Sequence, residues 1–110
     1  MATAYKNLGQ VVPAAPGTML ALYTVPAVTQ AVVSAITVCN QAAVDATFRI
    51  SIQVAGAADS PKQYIAYDEA VFANDSMDRV IGLTLGAGDI VMVTASAVTV
   101  SFNLSGSEIS

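Results

Sequence analysis

The chain has 110 residues, 55 % hydrophobic and only 11 % charged, with eight acidic and four basic side chains, a net charge of −4, one cysteine and no histidine. This excludes sequence-independent nucleic-acid binding, which needs clustered Lys and Arg on phosphates, and a polybasic membrane anchor, since Lys6, Arg49, Lys62 and Arg79 are few and dispersed. The lone Cys39 excludes an internal disulfide framework or a zinc cluster, and without His neither a Ser-His-Asp nor a Cys-His scheme can be built.

Residues 1–18 contain Gly9, Pro13, Pro16 and Gly17, which interrupt a helix or a long strand. They read as an extended N-terminal arm, 1–18, ahead of a single domain, 19–110. Tyr5, Leu8, Val11 and Val12 are its irregularly spaced apolar residues and the expected intersubunit contacts, since such a segment can add a strand to a neighbour's sheet edge. MATAYKNLGQ has no charged region followed by an apolar one, so a product made and used without export is expected. No apolar run reaches the roughly 18 residues of a membrane span.

Met19–Val25 alternates Leu20 and Leu22 with Ala21 and Tyr23 and stops at Pro26, as a strand ended by proline does. Val32–Val54 holds the two segments around which the chain is organised. In the first, Val32, Ser34, Ile36 and Val38 share one face and Val33, Ala35, Thr37 and Cys39 the other, so both faces are apolar or small, as in a strand covered on both sides. In the second, Phe48, Ile50, Ile52 and Val54 alternate with Arg49, Ser51 and Gln53, the period of a half-buried strand. Paired as neighbours, the two would form a β-branched centre. Cys39 reads as a small buried hydrophobe.

Gly56–Lys62 is turn chemistry, and Gln63–Phe72 reads as a strand because only about ten residues separate two loop signals. After the polar loop Ala73–Asp78, the segment Arg79–Leu85 sets Ile81, Leu83 and Leu85 on one face, and Gly86–Asp89 turns the chain. Ile90–Ala95 and Val98–Leu104 complete the pattern as a hairpin around Ser96 and Ala97, with Val98, Val100, Phe102 and Leu104 alternating against Thr99, Ser101 and Asn103. About seven short strands and no helix predict an all-β chain, an antiparallel β-sandwich, with the jelly roll as one form open to it.

Catalytic chemistry is sparse, and the expectation is a protein that is not an enzyme, with no cofactor and no metal. Asp68 and Glu69 would point to opposite faces of a strand, which spoils them as a carboxylate pair. Asn74–Asp78 offers oxygen ligands but lacks the Gly and Glu that complete a calcium loop, and it reads as a solvated turn. Tyr23, Tyr64 and Tyr67 could form a sugar-stacking platform, although Trp is missing and tyrosines at a sheet rim are the ordinary reading. A charged share of 11 % against about 25 % in typical domains points to surfaces covered by neighbours.

AYKNLGQ near the start, ALYTVPA at 21–27, VCN at 38–40, TFRISI, YIAYD at 64–68, AND at 73–75, GLTLGAGD at 82–89 and the closing VSFNLSGSEIS resemble a group of small β-rich virion proteins of tailed bacteriophages. The resemblance spans nearly the whole chain and rests on strands and turns, so it speaks to family and little to mechanism. It implies a structural part of the particle, assembled in the host cytoplasm and resident in the virion, which decorates or cements the capsid or belongs to the tail, collar or fibre apparatus. The partners implied are copies of itself, as a homo-oligomer with three copies expected, and other virion proteins, with no nucleic acid and no membrane. The alternative is a phage adhesin binding a host surface glycan through the loop tips Gly56–Lys62 and Ala73–Asp78.

Overall fold

The computed structural model describes residues 3–110, apart from the side chains of residues 80 and 81. The described residues form eight strands: β1 (Thr3–Val11), β2 (Leu20–Thr24), β3 (Gln30–Asn40), β4 (Ala46–Gln53), β5 (Tyr64–Val71), β6 (Ser76–Leu85), β7 (Ile90–Ala95) and β8 (Val100–Ile109). They form two four-stranded antiparallel sheets, ordered β1-β8-β3-β6 and β2-β7-β4-β5. The order is that of one long hairpin wrapped on itself: β1 lies with β8, β2 with β7, β3 with β6 and β4 with β5. An all-β antiparallel sandwich is therefore what the chain builds.

The inward faces supply the core. Val33, Ile36, Val38, Val100, Phe102 and Leu104 of the first sheet meet Phe48, Ile50, Val91 and Val93 of the second, each 1 % exposed or less. Phe48 and Phe102 join the two sheets edge to face, with ring centroids 6.1 Å apart. Both flanks of the sandwich, where polar groups enter between the sheets, are closed by ionic contacts. On the β1/β2 side Glu108 lies between Lys6, at 2.8 Å, and the Tyr23 hydroxyl. On the β5/β6 side Arg79 is paired with Glu69 and donates to the Ile65 carbonyl at 3.4 Å.

Several expectations are corrected. β3 and β4 do not pair: each offers an apolar face, and the two faces meet across the core from different sheets. For the same reason β7 and β8 are not a hairpin, and Ser96 and Ala97 lie in a connection between sheets. In β3 the register shifts between Val33 and Ala35: against β8 Ser34 is an extra residue, a bulge, whereas against β6 the extra residue lies on β6. The bulge reverses the alternation, so Ala31 and Val33 before it, and Ile36 and Val38 after it, all point inward. This is why both faces of the segment look apolar in sequence. Val54 leaves the strand for a 3-10 turn and is 65 % exposed, Val98 is 46 % exposed in a loop, and Cys39 is half-buried. Leu85 is buried and Leu83 packs against the core, as expected; the side chain of Ile81 lies outside the described residues.

The N-terminal segment is also corrected. Thr3–Val11 is no free arm but an edge strand paired with β8 of its own sheet from Thr3 opposite Ile109 to Val11 opposite Phe102. Gly9 makes this possible, because a Cβ there would lie 2.2 Å from the Leu22 carbonyl oxygen where β1 crosses β2. Leu8 and Val11 pack against the core, whereas Tyr5 is 85 % and Val12 51 % exposed.

Candidate functional site

Two features stand out from the scaffold. The first is one end of the sandwich, where Asn40 at the close of β3 is 1 % exposed and fully engaged. Its Nδ2 donates to the carbonyls of Val44, at 2.8 Å, and Val71, at 3.3 Å; its Oδ1 accepts from the Ala42 amide at 3.1 Å and the Thr99 hydroxyl at 3.3 Å. One buried amide thus ties together the β3–β4 connection, the end of β5 and the β7–β8 connection, and a buried amide so satisfied is a rigidifying element. Backbone bonds from Gln41 to Thr99 and from Asn74 to Ala42, and the bond from the Ala73 amide to the Asp45 carboxylate at 2.9 Å, brace the same loops. The loops so held carry exposed apolar side chains: Val44 is 72 %, Phe72 60 % and Val98 46 % exposed, with Val12 at the same end. From sequence this end is marked only by Val12 as an arm residue, Val98 as an inward strand position, Asn40 within VCN and the Ala73–Asp78 loop tip; the exposed Val44 and Phe72 carry no signal of their own. A buried Asn at a strand end carries no sequence signal that separates it from a turn Asn.

The second feature lies on the outer face of the second sheet. Between β4 and β5 the register passes from Phe48 opposite Glu69 to Ile50 opposite Ala66, so Tyr67 and Asp68 together face the single residue Arg49. Asp68 absorbs the bulge in the left-handed region, at φ 51°. The result is a built cluster: Arg49 lies over the Tyr67 ring at 4.0 Å, and its Nε and Nη2 donate to Asp68 at 2.7 and 3.1 Å. These hydrogen bonds hold the Asp68 carboxyl below its ordinary range. Tyr64 meets Tyr67 edge to face at 5.2 Å and donates its hydroxyl to Asp59 at 2.9 Å. Burial first, then Asp59, pushes the Tyr64 phenol up. Buried Gln63 pins the loop that bears Asp59, accepting from the Ser60 amide at 3.1 Å and donating to the Ala58 carbonyl at 2.9 Å. Arg49, Asp59, Ser60, Pro61, Tyr64 and Tyr67 line an open groove of about 470 Å³.

Of the three tyrosines expected in a platform, the structure brings together Tyr64 and Tyr67 and sends Tyr23 to the opposite flank, where it binds Glu108. Asp68 and Glu69 are separated as expected, each bound to a different arginine. In the Asn74–Asp78 turn, Asp75 accepts from the Ser76 amide and Asp78 accepts from Thr37 at 2.7 Å. Among the described residues no group of three or more His, Cys, Asp or Glu is placed to hold a metal ion. Compared with protein-family models, with curated proteins and with solved structures, the chain matches none.

Proposed function

We propose that this chain is a structural subunit of a tailed-phage virion, a small accessory protein that assembles as a homo-oligomer of three copies and binds other particle proteins. The observation that carries the reading is the end of the sandwich organised by Asn40, where Val44, Phe72 and Val98 stand exposed on loops that buried hydrogen bonds hold in place. Large apolar side chains held rigid at a surface lose little entropy on docking, and they are costly to leave in water. The wrapped-hairpin strand order, which we read as a jelly roll, supports the same conclusion, since capsid domains are a recurrent use of that architecture. So does the low charge, which suits a surface meant for burial. The resemblance of the AYKNLGQ, TFRISI and VSFNLSGSEIS segments to tailed-phage virion proteins directs the proposal to that particle. An electron-microscopy map of particles made by a phage encoding this sequence tests it. Density for the sandwich with its Val44, Phe72 and Val98 end against a neighbour is expected, and particles lacking the chain altogether would refute the assignment.

A further inference from the structure

We propose that the groove between Arg49, Tyr64 and Tyr67 is a binding site for a neutral saccharide. It lies on the outer face of the second sheet, apart from the Asn40 end, and does not depend on the assembly role. Three properties of the groove select the ligand. Arg49 covers one face of the Tyr67 ring, yet the residue is 60 % exposed, and the aromatic surface left open in the groove is suited to the C–H face of a pyranose. Around it stand planar groups that pair with vicinal hydroxyls: the Asp59 carboxylate and the Arg49 guanidinium, whose Nη1 donates to no protein acceptor among the described residues. The groove's volume of about 470 Å³ is in the range of small-molecule sites, and its openness to solvent suits a unit of a longer chain better than a free metabolite.

Charge decides between saccharide classes. The one cation lining the groove, Arg49, is already paired with Asp68, and Asp59 adds a carboxylate, so the lining offers no uncompensated positive charge to sialylated, sulfated or phosphorylated sugars. The geometry is held ready before any ligand arrives. The bulge at Tyr67 and Asp68 fixes the arginine over the ring, the left-handed backbone at Asp68 is the kind of local strain that ligand clamps store, and Gln63 fixes the wall carrying Asp59. The two tyrosines and the loop were separate signals in sequence; the bulge is what brings them to one place.

The test is a titration of the isotope-labelled full chain with maltose, cellobiose, chitobiose and galactobiose, and with sialyllactose as the acidic probe, followed by amide chemical shifts. Saturable shifts confined to Arg49, residues 59–68 and their neighbours are expected with at least one neutral sugar. Tyr67→Ala should weaken that binding roughly tenfold, the order of one aromatic stacking contact. Arg49→Gln should weaken it as well, and Tyr5→Ser, on the other sheet, should not. Unchanged amide dispersion in the variants separates loss of binding from loss of fold. No saturation with any neutral probe, binding of sialyllactose alone, shifts elsewhere on the surface, or full binding by both groove variants would each overturn the proposal.

Discussion

The Tyr23 hydroxyl donates to a Glu108 carboxylate oxygen at 2.5 Å, joining β2 of one sheet to β8 of the other across the flank of the sandwich. Lys6 of β1 binds the other oxygen at 2.8 Å, so three strands converge on one carboxylate. The ring of Tyr23 is buried, and Tyr23→Phe keeps its packing while removing the bond to a charged acceptor. A loss of about 1 kcal/mol in urea unfolding is expected, since Glu108 keeps Lys6 and access to water.

The same contact sets the pH response. Lys6 first, then the Tyr23 hydroxyl, holds the Glu108 carboxyl below its ordinary value of 4.5. A carboxylate depressed in the folded state stabilises the fold above its ordinary pKa, and that contribution disappears as the pH falls through the depressed value. Tyr23 titrates in the opposite sense: burial and Glu108 raise its phenol, so its contribution holds below the ordinary value of 10.0 and fades as the pH rises beyond it. Melting temperature should therefore be flat between about pH 5 and pH 9 and fall below about pH 4. Glu108→Gln should show a smaller acid-side fall than the natural chain, with Asp68 supplying part of what remains. An identical fall in the two would contradict this account.

Two glycines permit close backbone approach. A Cβ on Gly9 would lie 2.2 Å from the Leu22 carbonyl oxygen, and one on Gly106 would lie 2.1 Å from that of Val32; neither neighbour is a flexible side chain. Gly82 has nothing within 4 Å of the same position. Gly9→Ala and Gly106→Ala should each cost about 1–3 kcal/mol of stability, as overpacking does, while Gly82→Ala should be neutral or slightly stabilising. Thermal melts of the three variants check this.

Period-two runs made the all-β class legible, and Phe48, Ile50, Val100, Phe102 and Leu104 lie buried where that period places them. What escaped was set by bulges and by sheet partition. The bulge at Ser34 adds one residue relative to β8 without any residue type that announces it, and it hides which face of β3 is the core. The partition of β3 and β4 into opposite sheets depends on long-range pairing with β8 and β7, which local pattern does not encode. Gly9 and Pro13 suggested an interrupted arm, yet Pro13 lies beyond the strand and Gly9 serves a crossing of two backbones. At the groove, Tyr64, Tyr67 and the Asp59 loop could be named from sequence, but their union over Arg49 required the bulge in β5.

Because β1 is an edge strand of its own sheet, removing residues 1–17 should do more than weaken assembly. The truncation strips β8 of a partner, uncovers Leu22 where Gly9 crosses it, and deletes Lys6 from Glu108. Loss of cooperative unfolding, or aggregation through the bared β8 edge, is expected by circular dichroism and light scattering. A truncated chain that melts like the intact one would mean that β1 contributes little to the fold.

The proposed assembly surface at the Asn40 end would join copies of this chain, and the mass of the chain in solution reads that association. Sedimentation equilibrium should give about three times the 11.2 kDa chain mass, falling toward that of a single chain when Phe72→Ser and Val44→Ser are combined. A mass of 11.2 kDa at every concentration, or an oligomer indifferent to the two substitutions, would contradict it.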